Sequence, residues 1–137
     1  MITPESALAR HDVQRLIGVL DQHRGYERRD GGWRSLADKL RLAHELPPHE
    51  VPPDLVTMHS SVVLRETANG QSLAVTLVFP RGANPSAGEI SVLAPLGTAI
   101  FGARVGDIVE VQLPAGMRCW RIETMLYQPE AAGDHHL

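Results

Sequence analysis

The sequence predicts an α+β protein: a short N-terminal antiparallel helical hairpin, then a sheet of about five mostly antiparallel strands with one helix packed on it. Three observations carry this expectation. Near the start, Val13, Leu16, Ile17 and Leu20 repeat at helical spacing, a single apolar stripe. Four prolines then crowd into Leu46–Pro53, which no helix can cross. Beyond them apolar residues alternate, as in Leu73, Val75, Leu77 and Phe79, with turn residues between the runs.

The elements follow in order. Met1–Ala9 reads as an irregular lead-in. Asp12 is placed to cap the first helix, which ends near Gln22–Arg24 with Gly25 as its stop signal. Arg24–Gly32 is a polar tip holding Tyr26, Glu27, Arg28, Arg29 and Asp30. Ser35 is placed to cap a second helix in which Leu36, Leu40 and Ala43 share a face, with Leu42 and Leu46 alongside, until Pro47 and Pro48 end it. Helices of about 12 residues project only ~18 Å and need packing against a neighbour to be stable. The domain boundary falls in the proline stretch: residues 1–52 are the hairpin and linker, and residues 53–137 form a second domain.

In that second part, Ser61–Thr67 and Ser72–Phe79 are strands joined at Asn69-Gly70, a pair that accepts positive φ. Pro80–Gly88 is a loop and Ile90–Leu93 a short strand. Pro95 suits the first turn of a helix carrying Leu96, Ala99 and Ile100, which Gly102 closes. Ile108, Val109, Val111 and Leu113 form the next strand. Pro114–Met117 turns the chain into a last strand ending at Tyr127, and residues 128–137 are a polar tail.

Composition excludes several classes of function. The 137 residues carry a net charge of -3 with both signs interspersed, so there is no basic face for tight nucleic-acid binding. No apolar run reaches the ~18 residues of a membrane span and no signal peptide is evident, so a cytoplasmic protein without a membrane partner is expected. Cys119 is alone in an alternating strand, which predicts no disulfide within the chain and an inert, buried thiol. None of the seven histidines has the i, i+4 spacing of a helix-borne zinc site, so no metal site is expected. There is no nucleophile elbow and no phosphate-cradling loop, so neither an enzyme nor a cofactor is predicted. Glu27 and Asp30 can in principle share a divalent cation, but Arg28 and Arg29 neutralise that field and favour a solvated turn. Arg81 and Arg104 lie in loops flanking the 90–107 segment, at the edge of a candidate docking surface.

Some of these residues carry a resemblance. Ile90–Gly97 (Ile-Ser-Val-Leu-Ala-Pro-Leu-Gly), Gly102–Asp107 and Leu113–Gly116 resemble the C-terminal domain of the Gre transcript-cleavage factors. Pro53–Ser61 and Tyr127–Asp134 (Tyr-Gln-Pro-Glu-Ala-Ala-Gly-Asp) resemble the Rnk family, the regulators of nucleoside diphosphate kinase. The likeness runs from about Pro53 to the end and rests, before that, on the helical-hairpin pattern alone. It implies an FKBP-like C-terminal domain preceded by a short coiled coil. It also implies RNA polymerase as the partner, bound at the rim of the secondary channel through the segment matched by Leu93, Pro95, Leu96 and Gly97, with Arg104 beside it.

Gre factors insert a long coiled coil whose acidic tip helps hold the second catalytic metal ion. Here the hairpin is shorter, its tip is not an acidic pair, and Leu93 and Ala94 are apolar where the Gre pattern is often polar. Metal-assisted cleavage needs carboxylates within ångströms of the reacting phosphate, out of reach of an ~18 Å arm. The expectation is a non-enzymatic regulator that competes with Gre factors and does not stimulate cleavage. An effect on nucleoside diphosphate kinase would then be indirect. The alternatives are a true cleavage factor using Glu27 and Asp30, or a protein-binding module unrelated to polymerase. Prolyl isomerase activity is disfavoured: fold alone does not confer it, and of Phe79, Phe101, Trp120 and Tyr127 some must fill the core.

Overall fold

The computed structural model describes residues 7–22, 31–81 and 83–134. Strand β1 (Ala7–Ala9) runs directly into helix α1 (Arg10–Gln22), and helix α2 (Gly31–Arg41) is followed by strand β2 (His44–Leu46). β1 and β2 pair in parallel, Ala7 opposite His44 and Ala9 opposite Leu46. This corrects two expectations: Ala7–Ala9 is not irregular, and Leu46 belongs to a strand rather than to the second helix. The cause is non-local, because each three-residue strand exists only through the other. α2 also begins at Gly31, ahead of Ser35, which is exposed within the helix. Leu42, just past its end, is 60% exposed. The hairpin-tip residues Tyr26, Glu27, Arg28, Arg29 and Asp30 lie outside the described residues.

After a 3-10 turn at Pro48–Glu50 come the main strands, β3 (Ser61–Glu66), β4 (Ser72–Val78) and β5 (Glu89–Ser91). Helix α3 (Pro95–Ile100), strands β6 (Ile108–Leu113) and β7 (Gly116–Tyr127), and helix α4 (Pro129–Ala132) complete the chain. The five strands form one sheet in the order β5-β4-β3-β7-β6. It is antiparallel except where β4 meets β5. The β3–β4 hairpin forms as expected, and its register sets Ser61 opposite Thr76 and Arg65 opposite Ser72. Its turn differs in detail. Gly70 alone takes a positive φ, 72°, while Asn69 accepts the Gln71 N–H on Oδ1 at 2.9 Å, an Asx-type turn that needs no left-handed asparagine.

The polar tail is the third correction. Gln128, Pro129 and Glu130 are buried, and Gly133 ends α4 in a left-handed cap. Hydrophobicity of side chains did not foretell this, because Gln128 and Glu130 are polar and bond to Pro52, Leu55 and Thr57, 73 to 76 residues earlier.

The core joins all of these layers. Leu8, Val13 and Leu16 from the first segments, and Leu36 and Leu40 from α2, belong to the same buried cluster as Val62, Leu77, Phe101 and Ile122 of the sheet region. Each fully buried leucine is worth about 2 kcal/mol of transfer free energy, so the helices are seated on the sheet by apolar contact. Cys119 is a free, half-buried thiol. Among the described residues no helix is long and apolar enough to cross a membrane.

Candidate functional site

The segment between β5 and β6 is assembled by backbone bonds and one glycine. Val92 N–H donates to Val78 O at 2.9 Å, carrying the β4–β5 ladder one residue further. Ser91 then caps the turn: its Oγ accepts from Leu93 N at 3.0 Å and its carbonyl from Ala94 N at 3.0 Å. Pro95 occupies the first turn of α3, where its missing N–H leaves nothing unpaired. Thr98 Oγ1 donates back to Val92 O, folding the helix down onto the strand end. Gly97 sits where a Cβ would lie 2.0 Å from Ser91 O; only glycine allows so close an approach.

Two of the predicted docking residues therefore shape the segment, two are exposed, and Leu96 lies half-buried against the core. Leu93 is buried at 9% exposure and Gly97 is pressed on Ser91, whereas Pro95 is exposed and Leu96 half-buried. Arg104 is exposed and forked onto Asp54: Nε and Nη2 donate to Asp54 Oδ1 at 3.0 and 2.8 Å. Around it, Val56 N–H donates to Ala103 O at 2.8 Å, and Gly102 N–H to Val56 O at 3.0 Å. The Pro53–Ser61 and Gly102–Asp107 motifs, separate in the sequence, are thus stitched together beneath α3. Arg81, the other loop arginine, is exposed.

A second site lies at the root of the helical arm, and sequence reasoning missed it. Asp12 was expected to cap α1. It instead lies inside the helix with a fully buried side chain, and Oδ2 accepts the Met58 N–H at 3.0 Å while Oδ1 accepts from Arg15 Nη2 at 2.8 Å. Burial pushes the Asp12 carboxyl above its ordinary value, opposed by the Met58 amide and Arg15. His11 Nε2 lies 2.9 Å from Glu130 Oε2 and 3.5 Å from Asp12 Oδ1. The other oxygen of Glu130 accepts from Thr57 Oγ1 at 2.7 Å, and Thr57 N–H donates to Ser60 Oγ at 2.9 Å. Gln128 Nε2 donates to Pro52 O and Leu55 O, both at 2.7 Å. His59 completes the turn in a left-handed conformation, φ 68°, with its N–H donating to Leu77 O at 2.7 Å and its ring against Phe79.

The ligand-type atoms of His11, Asp12 and Glu130 lie within 4.8 Å of one another. The donor set fits a divalent cation by type, but Arg15 already occupies Asp12 Oδ1. This arrangement fastens α1 to the 57–60 turn and to α4. The only trace of it in the sequence was that Pro53–Ser61 and Tyr127–Asp134 stood out together.

A third tie joins α2 to α3. Lys39 Nζ donates to Thr98 O at 2.7 Å and Phe101 O at 2.6 Å. Burial pulls its amine down to about 8.

Comparison with known proteins matches this geometry. The family described as "Transcription elongation factor, GreA/GreB, C-term" matches residues 51–127, the stretch containing the whole sheet and α3. The chain is 40% identical over 104 residues to the "Regulator of nucleoside diphosphate kinase" of Escherichia coli strain K12, covering 75% of this chain and 76% of that one. It is 32% identical over 98 residues to "Transcription elongation factor GreA" of Sulfurovum sp., spanning 72% of this chain and 60% of the relative. Among solved structures, "Prokaryotic transcription elongation factor GreA/GreB from Nitrosomonas europaea" superposes with a TM-score of 0.74 at 32% identity, covering 91% of this chain and 100% of that one. By its fold, by the α3 segment and by the motifs that seat its helices, the chain belongs to the GreA/GreB C-terminal-domain family and, within it, to the Rnk regulators of nucleoside diphosphate kinase.

Proposed function

We propose that the protein is a non-enzymatic transcription factor that binds RNA polymerase at the rim of the secondary channel, competes there with Gre factors and does not stimulate transcript cleavage. The observation that carries this reading is the match of residues 51–127 to the Gre C-terminal domain, together with an α3 segment that exposes Pro95 and leaves Leu96 half-buried, with Arg104 exposed in the loop after the helix. An exposed proline next to a half-buried leucine fits a protein surface with a small hydrophobic recess, and the Arg104–Asp54 pair supplies polar contacts nearby in the sequence. The absence of cleavage is supported by reach: α1 has 13 residues and α2 has 11, arms of roughly 16–20 Å. Regulation of nucleoside diphosphate kinase then follows indirectly, through transcription in the cytoplasm.

The test is competition with a Gre factor for core polymerase. Mutually exclusive binding is expected, weakened at least tenfold, about 1.4 kcal/mol, by Arg104→Glu and measurably by Pro95→Ala. Simultaneous binding of both factors would move the docking site elsewhere. No binding at all would leave a protein-interaction module of another kind. RNA shortening in stalled complexes, lost in the Glu27→Ala, Asp30→Ala double variant, would make the protein a cleavage factor instead.

A further inference from the structure

α3 is only six residues long, and its C-terminal carbonyls point toward α2 rather than into a following turn of helix. The helix has no basic residue in its own last turn, although a helix C-terminus leaves carbonyls unpaired and attracts positive charge. Lys39 supplies that charge from 59 residues earlier in the chain. Its three N–H bonds are matched by three carbonyls: Thr98 O at 2.7 Å, Phe101 O at 2.6 Å and, more loosely, Ala99 O at 3.5 Å. Beside it a cavity of about 350 Å³ is lined by Ala99, Gly102, Ala103, Asp107 and Ile108, so packing alone does not wedge α2 into one orientation there. Apolar burial is non-directional. It holds Leu36 and Leu40 against the core but leaves the direction of α2 to bonds that have an angle: the β1–β2 pairing that begins at His44, just past its end, and the Lys39 bonds that tie it to α3.

We propose that Lys39 is a positioning residue that fixes the direction of the helical arm relative to α3, so that the arm and the docking segment form one rigid piece. For its consequence at polymerase this rests on the function proposed above; the coupling itself is a property of the free chain. The seat of α1 on the 57–60 turn fixes the base of the arm, and Lys39 fixes the partner helix. Polymerase therefore meets an arm whose angle of entry is preset by the domain that docks.

Residual dipolar couplings of the free, full-length 15N-labelled chain test this directly. In the wild type, amides of α1, α2 and the sheet are expected to fit one common alignment tensor. In Lys39→Met that common tensor is lost, and the α2 amides require a smaller or rotated one. Restoring an ammonium of the same reach, by aminoethylating Lys39→Cys in a Cys119→Ser background before refolding, restores the single tensor. A wild-type arm that already needs its own tensor overturns the proposal, as does a Lys39→Met chain that keeps the common one. If Lys39→Met does not fold, Lys39→Gln takes its place. Failure of both to fold assigns Lys39 to stability and overturns a role in orientation. None of these measurements involves polymerase, so a wild type that fails to bind polymerase overturns the proposed function and leaves the rigid coupling standing.

Discussion

Across β3 and β7, Arg65 donates to both oxygens of Glu123 at 2.6 and 2.9 Å, with side chains 46% and 34% exposed. At the root of α1, Arg15 donates to Asp12 at 2.8 Å, but the Asp12 side chain has no exposure at all. The exposed pair has the fuller geometry, two bonds against one, and the environments are opposite. Water screens the first and competes for each of its hydrogen bonds, so its net worth is small. The second carboxylate has no water to fall back on, and it also holds the Met58 N–H. The lesson is that the shorter bond need not be the stronger tie: burial decides what is lost when a partner goes.

The largest effect is expected at Asp12. Replacement by Ala leaves the Met58 N–H and the Arg15 guanidinium without their acceptor and removes one of two carboxylates facing His11, costing about 3–5 kcal/mol. Asp12→Asn keeps an oxygen for Met58 and is expected to lose less than half as much. Urea denaturation of the three chains measures both, and equal losses would show that the Met58 bond contributes nothing.

Next comes Thr57→Val, which removes the hydroxyl that donates to Glu130 Oε1. The side chain is 1% exposed, so the buried acceptor is left unsatisfied at a cost of about 1–3 kcal/mol. A loss within the error of the urea midpoint would mean that Gln128 and the His11–Glu130 contact suffice to hold α4.

A pH series extends the contrast to two groups with opposite signs. Lys39 in the fold titrates at about 8, below its ordinary 10.5. The unfolded chain therefore holds more protons between those values, and the contribution of this group to stability rises with pH from 8 to 10. Tyr127 donates to Asp134, and that bond holds its phenol up at about 12. Its contribution is complete below pH 10 and is lost as pH rises through 12. Denaturation midpoints at pH 8, 9, 10 and 11 should carry a rise followed by a fall. Lys39→Met should remove the rise and Tyr127→Phe should reduce the fall.

The smallest effect is expected from Arg65→Ala, with no measurable change in the denaturation midpoint. A clear loss there would undo the contrast between the two ion pairs, since it would make an exposed pair as consequential as a buried one.

Some of this was legible in the residues themselves. Alternating apolar positions placed β4, Asn69-Gly70 placed the hairpin, and Pro95 with Gly102 bracketed α3, because each of these rests on local backbone preference or on a side-chain period. The docking candidates Leu93, Pro95, Leu96, Gly97 and Arg104 were recognisable as a motif, but which of them face outward was not. Leu93 and Leu96 are identical in type and three residues apart, and only the packing of α3 on the strand end buries the first more deeply than the second.

What the sequence determined by itself was the order of α1, α2, α3 and the five strands of the main sheet, and the family pattern from Pro53 onward, since local terms act within a few residues. What the tertiary structure decided was where the polar groups went. Asp12, at the position of a cap, became an acceptor for Met58; Gln128 and Glu130, in an apparent tail, became buried anchors; Lys39, on a polar helix face, became the cap of a helix 59 residues away. A buried polar group must find a partner wherever the fold brings one, and no periodicity in the chain announces a partner that arrives only when distant segments close on each other.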